Sequence, residues 1–418
     1  MKCWPDKNDN EVNDVVKVAI LGYGTVGSGV AQVLYENRDS IARSVGDQVE
    51  VKYILDVRDF DCSPYGGKFV KDFSVIEEDE EVAIVVETIG GAAVALNFTQ
   101  RALRAGKHVV TSNKELVACH GLELTRLAQE KGVCYLFEAS VGGGIPIIRP
   151  LTVCLAANQV EEICGILNGT TNYILTRMIG AGLSFEAALK EAQENGYAER
   201  DPSADILGYD ACRKICILAD LAFGKNVDPQ LVPTEGITGI SLADVDYADG
   251  AGKKIKLLGR AVRQADGRVC AYVAPHLVDA GHPIAGVDDV FNAVFVRGNA
   301  VGDVMFYGRG AGKLPTASAV VADVMDIARS KGNRSPITWE QGEAALVCGT
   351  EELASRFYVR VQASADALRS QVGEVKLLAR SGAVAGEAAG ITEKAMTEAQ
   401  LREKLRGMTV LSLIRVLN

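Results

Sequence analysis

The sequence predicts an α/β protein in three parts: a parallel sheet wrapped by helices, an α+β region, and a small ferredoxin-like module at the C-terminus. Three observations predict it. Short apolar runs alternate with helical patterns from Val15 to about Phe137. From Ser140 to about Ile337, longer helical patterns interleave with β-rich stretches. The last stretch reads strand, helix, two strands, helix, strand.

Bulk properties agree with several cores. The 418 residues are 48% hydrophobic and 23% charged, enough for two or three domains. A net charge of -10 argues against a nucleic-acid surface, which needs clustered Lys and Arg. The ten cysteines are scattered, without a CxxC pair or a Cys/His ligand cluster, and read as reduced thiols. Met1 to Asp14 is polar and acidic, unlike a signal peptide, and no run is long enough to cross a bilayer. The expectation is a cytoplasmic enzyme acting on small molecules.

In the first part, VVKVAILG, VEVKYILDV, VAIVVETIG, KHVVTSN and VCYLFEA read as successive strands. Ligands of such sheets sit beyond the carboxyl ends of the strands, which locates the site before any motif is invoked. The first strand runs into Gly22, Tyr23, Gly24, Thr25, Val26 and Gly27, and a helix opens near Val26. Gly22 lets the chain turn, Gly24 lets backbone approach a pyrophosphate, and Gly27 lets helix pack on strand. The anion meets the helix N-terminus, so this is a Rossmann-type dinucleotide site. The second strand ends in Asp56, Val57 and Arg58. A carboxylate there suits the ribose 2′-hydroxyl of NAD, and a guanidinium suits the 2′-phosphate of NADP. Both stay open, with NADP favoured because Arg58 can bend toward phosphate and stack on adenine.

The second part carries AQENGYAERDPSADILGYDACRK, Ala192 to Lys214. Asp201 and Pro202 read as an N-cap and a first-turn proline, so a helix should start here. Asp210 and Lys214, four apart, share one face of it. On a surface helix this is a trivial ion pair. Here ILGYDACRKICILADLAF is apolar on nearly every side, where Lys and Asp seldom sit without a task.

These residues resemble the homoserine dehydrogenase signature at every spaced position: Ala192, Gly196, Tyr197, Ala198, Asp201, Pro202, Asp205, Ile206, Gly208, Asp210 and Lys214. The likeness extends to GYGTVG, VVETIGG, TSNKELV, FEASVGGGIP, NGTTNYIL and GRGAGKLPTASAV, over about residues 15 to 330. The resemblance implies hydride transfer between a nicotinamide cofactor and the pair L-aspartate 4-semialdehyde and L-homoserine. It implies that Lys214 donates a proton to the carbonyl oxygen, that Lys114 lies near nicotinamide and substrate, and that Asp210 orients substrate and lysine. By the same likeness Glu199 holds the substrate's amino group. Gly169, Thr170, Tyr197 and Asp205 line the pocket, and Ile89 and Gly312 touch the cofactor. Glu138, Val141, Gly143 and Ile145 fall where the family holds a monovalent cation, sodium or potassium, by oxygen ligands. The competing reading of that stretch is a glycine-rich crossover.

The residue types suit the chemistry. Hydride attack on an aldehyde builds negative charge on oxygen, which ammonium groups stabilise and one can protonate. The implied domains are 1–137 with about 310–330 for the nucleotide, 138–337 for catalysis and oligomerisation, and an ACT-like 338–418. The implied assembly is a homodimer or homotetramer. The ACT-like stretch FYVRVQASADALRSQVG lacks the usual Pro-Gly before its first helix, so threonine sensing competes evenly with a structural or oligomerising role. Thiol-based aspartate semialdehyde dehydrogenase chemistry would need a Cys with a base partner, and only Cys119 and His120 adjoin. A tyrosine-based short-chain reductase would need Tyr and Lys four apart, whereas Tyr209 and Lys214 are five apart. A catalytically silent amino-acid-binding regulator would show loss of Lys214, Lys114 or Glu199, and all three are present.

Overall fold

A computed structural model describes residues 15–60, 64–343 and 346–417. The polar stretch Met1 to Asp14 lies outside them, as do Cys3 and Cys62. The chain divides into two compact units. One comprises residues 1–157, 220–226 and 309–341, and the other residues 158–219, 227–308 and 342–418.

The first unit is a six-stranded parallel sheet. Its strands are β1 (Val15–Leu21), β2 (Gln48–Leu55), β3 (Phe69–Val70), β4 (Val82–Glu87), β5 (His108–Thr111) and β6 (Tyr135–Leu136). The spatial order is β3-β2-β1-β4-β5-β6, so the order reverses between β1 and β4, where ligands of doubly wound sheets bind. All six residues of β4 are buried, as a strand covered by helices on both faces requires. The helix Thr25–Glu36 follows β1, and Lys313–Ser330 packs beside it: a Cβ at Gly29 would meet the Lys313 carbonyl oxygen at 2.8 Å. Five strands of this sheet are legible in the sequence. The two-residue β3 is not: Phe69–Val70 stands between Lys68 and Lys71 without the apolar run VCYLFEA that announces the equally short β6.

The second unit carries a nine-stranded mixed sheet. Its strands are β7 (Val160–Ile166), β8 (Lys253–Arg263), β9 (Val269–Asp279), β10 (Phe291–Gly298), β11 (Gly302–Arg309), β12 (Arg356–Val361), β13 (Val375–Leu378), β14 (Ala388–Thr392) and β15 (Val410–Val416). Their order is β11-β10-β7-β8-β9-β15-β12-β14-β13. The C-terminal elements run strand, helix, two strands, helix, strand, with helices Ala365–Val372 and Glu398–Lys404. Their strands are not a separate sheet. β15 pairs in parallel with β9, Arg415 opposite His276 and Val416 opposite Leu277.

One expected helix is broken. Asp201 does accept from the Ser203 N–H, but helix runs only over Ser203–Ile206 before restarting at Tyr209–Phe223. The interruption is Gly208, at φ +88°, a conformation L side chains rarely adopt. The segment around Gly236 fills the gap: the Ile237 N–H donates to the Ile206 carbonyl at 2.9 Å. That segment is distant in sequence, so the break could not be read locally.

Candidate active site

In the first unit the glycine turn has the form its sequence demands. Gly22 has φ +91° and its N–H donates to the Leu55 carbonyl at 2.7 Å. A Cβ on Gly27 would stand 1.9 Å from the Gly22 carbonyl oxygen, so no larger residue fits. A Cβ on Gly24 would meet nothing within 4 Å. Packing inside the chain therefore does not call for glycine there, whereas a ligand approaching the backbone does. The Tyr23 N–H donates to Asp56 Oδ2 at 2.7 Å, and the Tyr23 ring stands edge-on to Phe60 and Phe69. Thr25 and Val26 open the helix Thr25–Glu36.

Asp56 and Arg58 are not alternatives but partners. The Arg58 Nε and Nη2 donate to both oxygens of Asp56 at 3.0 Å, and the guanidinium lies over the Phe60 ring. That bidentate pairing holds the Asp56 carboxyl well below the usual carboxylate range. Arg58 itself remains exposed.

The loops after β4 and β5 are tied together. Ile89 and Lys114 sit on them, Lys114 as the first residue of the helix Lys114–Lys131. Asn113 caps that helix by accepting from the Leu116 N–H, and its Nδ2 donates to the Ile89 and Gly91 carbonyls at 3.1 and 2.8 Å. Buried Glu87 accepts from the Ile89 N–H at 2.6 Å and from the Thr111 hydroxyl at 2.5 Å. Burial pushes the Glu87 carboxyl up to about 7, against the pull of those two donors. Gly312, at φ +119°, precedes the helix Lys313–Ser330.

Glu138 is buried, and its carboxylate accepts from three successive N–H groups, Ile147, Ile148 and Arg149, at 2.6, 2.8 and 2.7 Å. Three of its roughly four acceptor positions are thereby used, leaving one on Oε2. Gly143 in the same stretch has φ +57°, and a Cβ there would stand 2.2 Å from the Gly310 carbonyl oxygen. A carboxylate and backbone carbonyls, as Glu138 and the stretch Val141 to Ile145 carry, are hard oxygen donors of the type a monovalent cation takes. Two of the histidines are buried, and burial pushes His108 and His276 down to about 4 and 3.

In the second unit the structure brings Lys214, Asp210 and Asp205 into one hydrogen-bonded cluster with Asn168. The Lys214 Nζ donates to Asp210 Oδ2 and to the Leu167 carbonyl, each at 2.8 Å. Lys214 and Asp210 are 8% and 3% exposed, so this ion pair is no solvated surface contact. Asn168, capping the helix Gly169–Ala181, donates from Nδ2 to Asp205 Oδ1 at 2.6 Å and to Asp210 Oδ2 at 2.9 Å. At Gly169 a Cβ would stand 2.7 Å from the Val290 carbonyl oxygen. The Thr170 hydroxyl donates to the Tyr197 carbonyl at 2.6 Å, and Tyr197 packs edge-on against Tyr173. Glu199 stands outside this hydrogen-bonded set: its side chain is exposed, and its carbonyl accepts from Gln193. The sequence reading missed Asn168, Asn113 and Glu87. The signal for the two asparagines was present, an Asn immediately before a helical pattern.

The families matched decide the kinship. The family model for homoserine dehydrogenase matches residues 146–325, and that for the homoserine dehydrogenase NAD binding domain matches residues 22–138. A homoserine dehydrogenase of Neisseria gonorrhoeae is 42% identical over 357 residues, 83% of this chain and 82% of its own. This chain belongs to the homoserine dehydrogenase family. A solved homoserine dehydrogenase from Thiobacillus denitrificans superposes with a TM-score of 0.86 at 36% identity, over 97% of this chain and 99% of its own. A hyperthermophilic archaeal homoserine dehydrogenase, solved in complex with NADPH, matches with a TM-score of 0.65 at 29% identity, over 78% of this chain and all of its own. Family membership makes the chain an NAD(P)-dependent oxidoreductase.

Proposed function

We propose that this chain reduces L-aspartate 4-semialdehyde to L-homoserine with NAD(P)H, and catalyses the reverse, on the route to threonine, methionine and isoleucine. The observation that carries the reading is the buried Lys214–Asp210 pair, an ammonium held by a carboxylate and a carbonyl in a helix whose other buried residues are apolar apart from Asp220. The nicotinamide, when bound, supplies or accepts hydride at the substrate carbon. Lys214 protonates the oxygen that becomes the alcohol, and Asp210 holds that lysine in place. By the family likeness Lys114 belongs beside the nicotinamide. Glu199, an exposed carboxylate side chain, receives the substrate's amino group. Asp205, Gly169, Thr170 and Tyr197 shape the pocket.

The cofactor contacts are Gly22 to Gly27, Arg58, Ile89, Lys114 and Gly312. NADP is the favoured coenzyme: Asp56 is already neutralised by Arg58, whose exposed guanidinium suits a 2′-phosphate, and the archaeal relative was solved with NADPH. Glu138, Val141, Gly143 and Ile145 hold a structural sodium or potassium ion. The domain limits are 1–137 with about 310–330, 138–337, and an ACT-like 338–418 with a structural role, supported by its strands continuing the sheet of β9. The reading is completed by a cytoplasmic location and by a homodimeric or homotetrameric assembly. The test is absorbance at 340 nm with L-homoserine and NAD or NADP in parallel. Reduction that requires homoserine establishes the reaction and ranks the cofactors; none, at alkaline pH with potassium or sodium present, sinks it in favour of a silent regulator.

A further inference from the structure

We infer that Asn168 is a positioning residue for the proton-donating lysine, its side-chain amide holding Asp205 and Asp210 as two separate anions so that Asp210 stays paired with Lys214. This rests on the function proposed above and adds a residue to it. The Asn168 amide cannot be turned the other way round. Its Oδ1 accepts from the Thr171 N–H at 2.8 Å and from the Thr171 hydroxyl at 3.0 Å, which commits Nδ2 to the carboxylates. The two hydrogens of that one nitrogen are then divided between Asp205 Oδ1 at 2.6 Å and Asp210 Oδ2 at 2.9 Å.

Two oxygens served by one NH2 group stand roughly 5 Å apart, close enough for one carboxylate to raise the affinity of the other for a proton. A donor to both lowers that affinity at both. Lys214 depends on the outcome, because the oxygen that accepts from Asn168 is the same Asp210 Oδ2 that accepts from Lys214. The preceding residue completes the arrangement: the Leu167 carbonyl takes a second hydrogen of the Lys214 ammonium. Leu167 and Asn168, consecutive at a helix start, thus fix the lysine and its counter-ion together, and Asn168 is only 6% exposed.

A role as helix cap alone makes a different forecast, since Asp and Ser cap as well as Asn. The experiment compares the full-length wild type with Asn168→Asp and Asn168→Ser, measuring kcat/KM against pH in both directions, melting temperature and NADPH affinity. Asn168→Asp keeps shape and cap but replaces the donor with a third anion. The expected result is a melting temperature within a few degrees of wild type, NADPH affinity within twofold, kcat/KM down about a hundredfold, and an acidic limb moved to higher pH by about one unit. Asn168→Ser should move the limb in the same direction by less. A pH profile superimposable on wild type in Asn168→Asp overturns the inference, and if that variant does not fold, an unchanged profile in Asn168→Ser does so. A wild type without homoserine-dependent turnover overturns the function itself, a failure distinct from an active wild type with insensitive variants.

Discussion

Lys214 is the residue on which most depends. It is buried, doubly bonded through Asp210 and Leu167, and four residues from its counter-ion on one helix face. Lys214→Ala should cut kcat by about 100- to 10,000-fold while leaving NADPH affinity in place, and Glu199→Ala should mainly raise KM for the amino-acid substrate. Steady-state kinetics with a fluorescence titration of cofactor checks both; unchanged turnover in the lysine variant would remove it as proton donor. Glu87 yields a prediction of another kind. Its carboxyl is raised by burial from 4.5 to about 7, so the folded state keeps its proton longer than the unfolded chain. Stability from this group is therefore greatest below about pH 4.5 and declines as pH rises to about 7, by an order of magnitude of 3 kcal/mol. Asp323, raised to about 7 by burial and by neighbouring Glu138, acts in the same direction. Glu87→Gln should flatten part of that decline, read as melting temperature against pH; a parallel curve would show that Glu87 does not titrate there.

At the scale of elements, the glycine turn separates packing from binding. Gly27→Ala places a Cβ 1.9 Å from a backbone oxygen, so the helix Thr25–Glu36 must shift off β1, and both cofactor binding and stability should fall, the latter by about 2 kcal/mol or more. Gly24→Ala meets no neighbour within 4 Å and should leave the melting temperature nearly unchanged while weakening NAD(P)H at least tenfold. Equal loss of stability in both variants would contradict this division. The helix expected from Asp201 shows the complementary lesson. Its Asx turn and its proline are visible in sequence, but the break at Gly208 depends on the segment around Gly236, some 30 residues on. The bridging of the β4 and β5 loops by Asn113 and Glu87 is likewise a meeting of separate segments, which no local pattern announces.

At the scale of the whole molecule, the nine-stranded sheet joins the C-terminal strands, through β15 and β9, to the sheet that holds β7, the strand ending just before Leu167 and Asn168. An ionic group locks them further. The Arg360 guanidinium pairs with Asp244, which is fully buried and also accepts from the Tyr358 hydroxyl, and with Glu387. Removing one partner leaves a buried charge uncompensated, so Arg360→Ala should cost about 3 to 5 kcal/mol in denaturant unfolding with kcat of the surviving fold little altered. A loss below about 1 kcal/mol would mean that water reaches Asp244 freely.

By itself the sequence determined the parallel-sheet domain, the dinucleotide turn and the lysine–aspartate pair, because each is written in periodicity or in glycine and charge spacing within some twenty residues, and the family through a likeness in residue identity over about residues 15 to 330. Tertiary structure decided what lies between such segments. It set Asn168 between two carboxylates 37 and 42 residues away, and fused the C-terminal module into one sheet through β15 and β9. The physical reason is that hydrogen bonds and ion pairs over such separations form only after the backbone has placed both ends, and a helix cap or a strand edge looks the same in sequence whatever it later meets.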